Sequence, residues 1–164
     1  MTHFKNAHLG VRVALCELLL ARLDLAVGNP EAARLHCDAA LKWLATSEAP
    51  AVAFQAFAIQ GQIFEGRGAA DAAFKAYQRA HAKLEGLRSQ LAGEELKIAF
   101  LRDKLTVYES LVILTLQRGT QPKTLERAFD FIERAKSRSF ADLIAFQLSV
   151  LRPRVKKTRN WRRE

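Results

Sequence analysis

The sequence predicts an all-α protein in which pairs of helices stack on one another. Glycine and proline are scarce, at 8 and 4 of 164 residues, so long stretches are free to be helical. One stretch of the chain repeats after 40 residues. Short turns rich in glycine or proline separate the helical stretches.

The repeat is visible when Arg22–Leu44 is aligned without gaps to Gln62–Leu84, an offset of 40 residues. The positions that matter for structure coincide: Leu23 with Ile63, Gly28 with Gly68, Ala32 and Ala33 with Ala72 and Ala73, Ala40 with Ala80, and Leu44 with Leu84. Each copy is predicted to be two antiparallel helices joined by a short turn. Unit one covers about 8–46 and unit two about 50–91.

The turn residues support these boundaries. Gly28 is expected to end the first helix, Asn29 to cap the second helix and Pro30 to occupy its first turn. In unit two, Pro50 opens the first helix and the GRG sequence at 66–68 forms the turn.

Small residues are expected where paired helices touch, because a larger side chain would push the helices apart. They are Ala21, Ala33 and Ala40 in unit one and Gly61, Ala73 and Ala80 in unit two. Larger residues are expected to fill the spaces between units: Leu23, Cys37, Leu41, Phe57, Phe64, Tyr77 and Leu84. A non-repetitive helical bundle with the same core is the alternative.

A third helix pair is predicted over about 94–147. Its first helix runs to Gln117, RGTQPK forms the turn, and Ala128, Ile132 and Ala135 repeat the spacing of small and large residues. Three units are about the minimum for a stable stack. The helical domain is therefore placed at 1–149, followed by a basic tail or truncated linker at 150–164.

The spacing in unit two resembles the tetratricopeptide repeat, in which a small residue, an Ala-x3-aromatic pair and a later small residue recur at fixed offsets. Gly61, Ala73, Tyr77 and Ala80 carry the resemblance. Unit one departs from it with Ala21 and Cys37 at the glycine and aromatic positions, and both units lack the usual early tryptophan. The resemblance implies a right-handed α-α superhelix of about three helix pairs.

The third unit carries a second resemblance. FLRDKLTVYESLVILTLQRG and LERAFDFIERAKSRSFADLIA resemble the stretch before the caspase-like protease domain of bacterial CHAT proteins. The matching residues are Arg102, Tyr108, Leu111, Glu133, Lys136, Ser137, Arg138, Leu143 and Ile144. The resemblance implies a regulatory repeat region whose catalytic histidine and cysteine belong to a following domain. Glu133, Lys136 and Arg138 would then dock that domain, although an ordinary solvated helix face explains them equally well.

The net charge of +9 is concentrated at the end of the chain. Residues 152–164 hold seven basic residues and one acid, together with Trp161. Such a segment suits phosphate binding and base stacking, so a nucleic-acid-associated protein that binds through this tail is the alternative function. Because basic terminal runs are more often simply solvated, nucleic acid is not the expected partner.

Nothing in the sequence predicts catalysis, a metal or a cofactor. Cys16 and Cys37 lack a CxxC spacing and are expected to be reduced, mostly buried thiols, and the four histidines are scattered. Charged residues interrupt the first 24 residues, so neither a signal peptide nor a membrane span is predicted and the cytoplasm is the expected location.

The resemblance to tetratricopeptide repeats implies that the first helix of each pair lines a concave binding surface. Helical phase places these residues near that surface: Leu18, Arg22, Leu25, Gln55, Ala58, Gln62, Glu65, Glu109 and Ile113. A lining of mixed polarity suits a peptide or helix held in a groove. The predicted function is therefore a non-catalytic scaffold that binds a protein or peptide, in the role of a CHAT repeat region without its protease domain.

Overall fold

The computed structural model describes residues 2–90 and 105–135, with side-chain surroundings from Leu9 onward in the first range. These residues form six α-helices and no strand, which confirms the all-α prediction for this part of the chain. The helices are α1 (Thr2–Ala26), α2 (Pro30–Leu44), α3 (Pro50–Gly66), α4 (Ala70–Gln90), α5 (Leu105–Gln117) and α6 (122–135).

Neighbouring helices pair in the predicted order. The most extensive contacts join α1 to α2 and α3 to α4, and α3 also contacts both helices of the first pair. The third pair is attached through contacts between α4 and α5. The predicted segments 94–104 and 136–147, and the tail at 150–164, lie outside the described residues. The right-handed superhelical arrangement stays a prediction.

The turns within units one and two have matching geometry. Gly28 and Gly68 have φ of 78° and 71°, a left-handed conformation that glycine adopts without steric cost. After Gly28, the Asn29 side chain accepts a hydrogen bond from the Ala32 amide at 3.3 Å, and Pro30 begins α2. Pro50 likewise begins α3. Local turn chemistry therefore fixed these four helix ends as predicted.

Two apolar clusters form the interior. The first joins α1, α2 and α3 around Leu18, Cys37, Ile59 and Ile63, which are at most 5% exposed. The second joins α3, α4 and α5 around Phe74, Tyr77, Leu84, Tyr108 and Leu111. Because α3 contributes to both clusters, it links unit one to the rest of the stack.

The predicted small positions are buried. Ala21, Ala33 and Ala40 are completely inaccessible in unit one, as are Ala73 and Ala80 in unit two. Gly61 is also buried, and the ring of Tyr77 lies directly against it. At the positions equivalent to Gly61 and Tyr77, unit one has Ala21 and Cys37. The alanine is larger than the glycine, and the cysteine is smaller than the tyrosine.

Two packing expectations are wrong. Leu23 was expected between units but is 60% exposed, and Cys16 is exposed rather than buried. Both residues lie on the side of α1 that faces away from the first cluster. The other thiol, Cys37, is buried as expected.

Candidate protein-binding surfaces

Some of the residues predicted to line the concave surface are exposed, and others are buried. Arg22, Gln55, Gln62 and Glu65 are exposed, as a surface position requires. Leu18 is only 2% exposed and belongs to the first apolar cluster, so its predicted place on a binding surface is wrong. Its side chain is directed towards α2 and α3 because α1 buries the face that also carries Ala14 and Ala21.

The exposed residues of α1 and α3 occupy equivalent repeat positions. The 40-residue offset relates Arg22 to Gln62 and Leu25 to Glu65, and α1 contacts α3. Leu25 is partly buried against the first cluster, whereas the other three residues are exposed. We call Arg22, Leu25, Gln55, Gln62 and Glu65 the A-helix strip.

Glu65 is held in place by a buried partner. The Tyr77 hydroxyl donates a hydrogen bond to Glu65 Oε2 at 2.7 Å. Burial, together with this carboxylate, raises the pKa of Tyr77 well above its ordinary value, so the hydroxyl remains a donor. One end of the A-helix strip is thus tied to the core of unit two.

Glu109 and Ile113 lie on a different groove. This groove has a volume of 450 Å³ and runs between α5 and α6, lined mainly by apolar side chains: Leu105, Tyr108, Val112, Ile132 and Ala135. Ile113 is 50% exposed, and Glu109 is exposed at the same groove.

The predicted domain-docking residues are only partly described. Glu133 is exposed on α6. Lys136 and Arg138 lie outside the described residues, so docking through the three side chains together stays a prediction.

An exposed apolar surface that was not predicted from the sequence lies on α1, and we call it the outer face of α1. It consists of Leu9, Cys16, Leu19, Leu20, Leu23 and, in the adjoining turn, Val27; its leucines and valine are 44–70% exposed. These positions share one side of the helix, opposite Ala14, Leu18 and Ala21. The sequence pattern that could have revealed this surface is the presence of apolar residues on two opposite sides of α1.

A second missed surface is a groove of 920 Å³ bounded by α2, α3 and α4. Leu41 and Phe57 contribute apolar surface, and Arg79 and Lys83 supply positive charge. The Arg79 guanidinium carbon is 5.8 Å from the centre of the Phe57 ring. The sequence pattern that pointed to the positive charge of this groove is the i, i+4 spacing of Arg79 and Lys83, which places both residues on one side of α4.

The titratable groups between α1, α2 and α3 make structural contacts. His36 Nδ1 lies 2.6 Å from Glu17 Oε2, and His36 Nε2 lies 3.7 Å from Asp24 Oδ2, which joins α2 to α1. The Cys37 thiol donates to the carbonyl of Ala56 at 3.4 Å. Burial, with a smaller effect from nearby Asp38, raises the pKa of Cys37 to about 12, so this sulfur stays a thiol at neutral pH.

Within 2–90 and 105–135, no group of three or more histidine, cysteine or acidic residues is arranged to hold a metal ion. No helix in these ranges is both long enough and apolar enough to cross a membrane. Comparison with known proteins adds no relative: no family model, curated protein or solved structure matches the chain.

Proposed function

We propose that this protein is a non-catalytic, cytoplasmic scaffold that binds a protein or peptide through the A-helix strip. The observation that carries the proposal is the repeat equivalence of Arg22 and Gln62. The two side chains occupy equivalent positions on contacting helices, and both are exposed. A stack of helix pairs offers such a surface without dedicated loops.

The chemistry of the strip suits a ligand with both polar and apolar groups. Arg22 supplies positive charge and hydrogen-bond donors, and Gln55 and Gln62 offer both donors and acceptors. Leu25 adds a partly buried apolar surface, and Glu65 adds negative charge. An extended peptide or one face of a helix meets these requirements.

The local chemistry favours binding over catalysis. Cys37 is a buried, protonated thiol, and a thiol becomes a strong nucleophile only as the thiolate. Tyr77 and His36 make hydrogen bonds that join elements of the stack. These polar contacts hold the helices in position and leave the A-helix strip for recognition.

We further propose that the helix pairs are of the tetratricopeptide type and serve as the repeat region of a CHAT protein. The support is the sequence resemblance together with the burial of Tyr108 and Leu111, two of the residues that carry it. In this proposal the partner is a CHAT protease domain or the protein that regulates it.

Affinity capture from cells that produce the protein tests the binding proposal. The matched variants are Arg22→Glu on the A-helix strip and Lys75→Glu, which makes the same charge change at an exposed position of α4. Partners should be retained by Lys75→Glu and lost by Arg22→Glu.

A chain without residues 152–164 separates the two candidate binding modes. Partners of the A-helix strip should survive this deletion. Loss of every partner on deletion, with nucleic acid recovered only by the full chain at low salt, would replace the proposal with tail-mediated binding.

A further inference from the structure

The outer face of α1 is equivalent to a surface that is buried elsewhere in the same molecule. The 40-residue offset relates Cys16, Leu19 and Leu23 to Ala56, Ile59 and Ile63 of α3. Those three residues of α3 are 0%, 5% and 1% exposed because they pack against α1 and α2. In contrast, Leu19 and Leu23 are 64% and 60% exposed.

The equivalence extends along the helix. Leu9 corresponds to Ala49, which packs against the first cluster, and Arg12 corresponds to the buried Val52. The outer face of α1 therefore has the pattern of a helix covered by a neighbouring helix pair, with one charged residue near its N-terminal end. No described residue of the chain covers it.

From this relationship we infer that the outer face of α1 is a homodimer interface, covered by the same face of a second copy of the chain. The two α1 helices run antiparallel, and the two-fold axis crosses the outer face of α1 at the level of residue 18, whose own side chain points into the core. This orientation opposes Leu9 of each copy to Val27 of the other and sets Cys16 opposite Leu20.

Size supports a second copy as the occupant. The exposed apolar side chains on this face together present on the order of 600 Å², the upper end of what an ordinary monomer leaves uncovered. Two such faces bury about 1,200 Å² in total, the lower bound for a specific, stable protein interface.

Charge and shape also favour self-association. Arg12 is the charged residue on the outer face of α1 between Leu9 and Val27. Antiparallel pairing places the two copies of Arg12 at opposite ends of the interface, about 18 Å apart along the helix axes. Repulsion between them is therefore small. The small Cys16 side chain beside the axis lets the two helices approach closely.

The test measures the mass of the full chain in solution by sedimentation equilibrium over a range of concentrations. Wild type is compared with Leu23→Asp and Leu35→Asp, which add the same charge at leucines that are 60% and 62% exposed. Leu35 lies on α2, and its equivalent in unit two, Lys75, is exposed, so the repeat does not place Leu35 in an interface.

Wild type and Leu35→Asp should be dimers, and Leu23→Asp should raise the dimer dissociation constant at least about tenfold, because an aspartate at the interface loses its hydration. Circular dichroism confirms that each variant stays helical. A monomeric wild type, or a dimer equally resistant to both substitutions, overturns the inference.

Cross-linking locates the interface independently. A short bismaleimide should join two chains through the exposed Cys16, and Cys16→Ser should abolish the product while the buried Cys37 remains unreactive. At a concentration near the dissociation constant, where chains exchange and Cys16 becomes accessible, a dimer that gives no Cys16 cross-link contradicts the proposed face. Since the dimer uses the outer face of α1 and partner capture uses the A-helix strip, failure of one leaves the other standing.

Discussion

The ring of Tyr77 lies so close to Gly61 that a Cβ atom built on the glycine would be 2.5 Å from Cε1 of the ring. Gly61 belongs to α3 and Tyr77 to α4, so the absence of a side chain sets how closely the two helices approach. In unit one the equivalent residues are Ala21 and Cys37. A larger residue on one helix is thus matched by a smaller residue on the other.

This relationship predicts that Gly61→Ala destabilises the fold by about 1–3 kcal/mol, because the methyl group must displace an aromatic ring. Gly86→Ala in α4 is the matched control, since a Cβ there meets nothing within 4 Å. That control should stabilise by up to about 1 kcal/mol through higher helix propensity. Urea unfolding measures both changes, and equal effects would contradict the close contact.

A double substitution tests whether the two positions are coupled. Combining Gly61→Ala with Tyr77→Cys recreates the residue pair of unit one. The cost of Gly61→Ala should fall by at least about 1 kcal/mol in the Tyr77→Cys background, because the clash has been removed. Strict additivity of the two substitutions would show that they do not interact.

Leu18 and Leu23 provide a second comparison within α1. Leu18 is 2% exposed and Leu23 is 60% exposed. Leu18→Ala should lower the free energy of unfolding by about 2–5 kcal/mol through the cavity it leaves, whereas Leu23→Ala should cost under about 1 kcal/mol in the monomer. Measurement at a concentration well below the dimer dissociation constant of the wild type separates folding from association. Similar losses at both positions would refute the assignment of the buried face.

The two thiols should react at very different rates. Cys16 is exposed, whereas Cys37 is buried with a raised pKa. In the monomeric Leu23→Asp variant, where no second chain covers Cys16, a chromogenic disulfide reagent should modify one thiol quickly and the second only after denaturation. Adding Cys16→Ser to this variant should remove the fast phase. Two fast thiols would contradict the burial of Cys37.

Alkaline pH should destabilise the fold through Cys37. Its thiol has an ordinary pKa of 9.0 and a pKa of about 12 in the folded chain, so between these values the unfolded chain binds fewer protons than the folded one. Stability is therefore fully present below pH 9.0 and falls as pH rises, by up to about 1.4 kcal/mol per pH unit.

The matched variant for this pH dependence is Cys37→Ala, which removes the titrating group. Urea unfolding at several pH values between 8 and about 11 should give a steeper decline for the wild type than for Cys37→Ala. Because Cys37→Ala leaves every other titratable group in place, parallel declines would mean that Cys37 contributes nothing.

The features that could be predicted from the sequence are those set by local chemistry and by the repeat. Gly28, Asn29 and Pro30 determine the first turn through backbone conformation and capping alone. The 40-residue offset located the buried alanines because helices in contact require small residues.

Side-chain direction on α1 was harder to predict because this helix is apolar on two opposite sides. The pattern left open which side faces the core, so Leu18 was placed outside and Leu23 inside, the reverse of the structure. The groove near Phe57 and Arg79 depends on how three helices meet; the i, i+4 spacing of Arg79 and Lys83 places two cations on one side of α4 but does not specify the groove.

Hydrogen exchange on the complex with a captured partner tests the central claim most directly. Partner binding through the A-helix strip should protect amides in peptides spanning 15–26 and 55–66, with the free protein as reference. Protection should also be lost in the Arg22→Glu variant and retained in Lys75→Glu. Protection confined to residues 152–164, with both helical segments unchanged, would contradict the proposal that the helix stack is the binding surface.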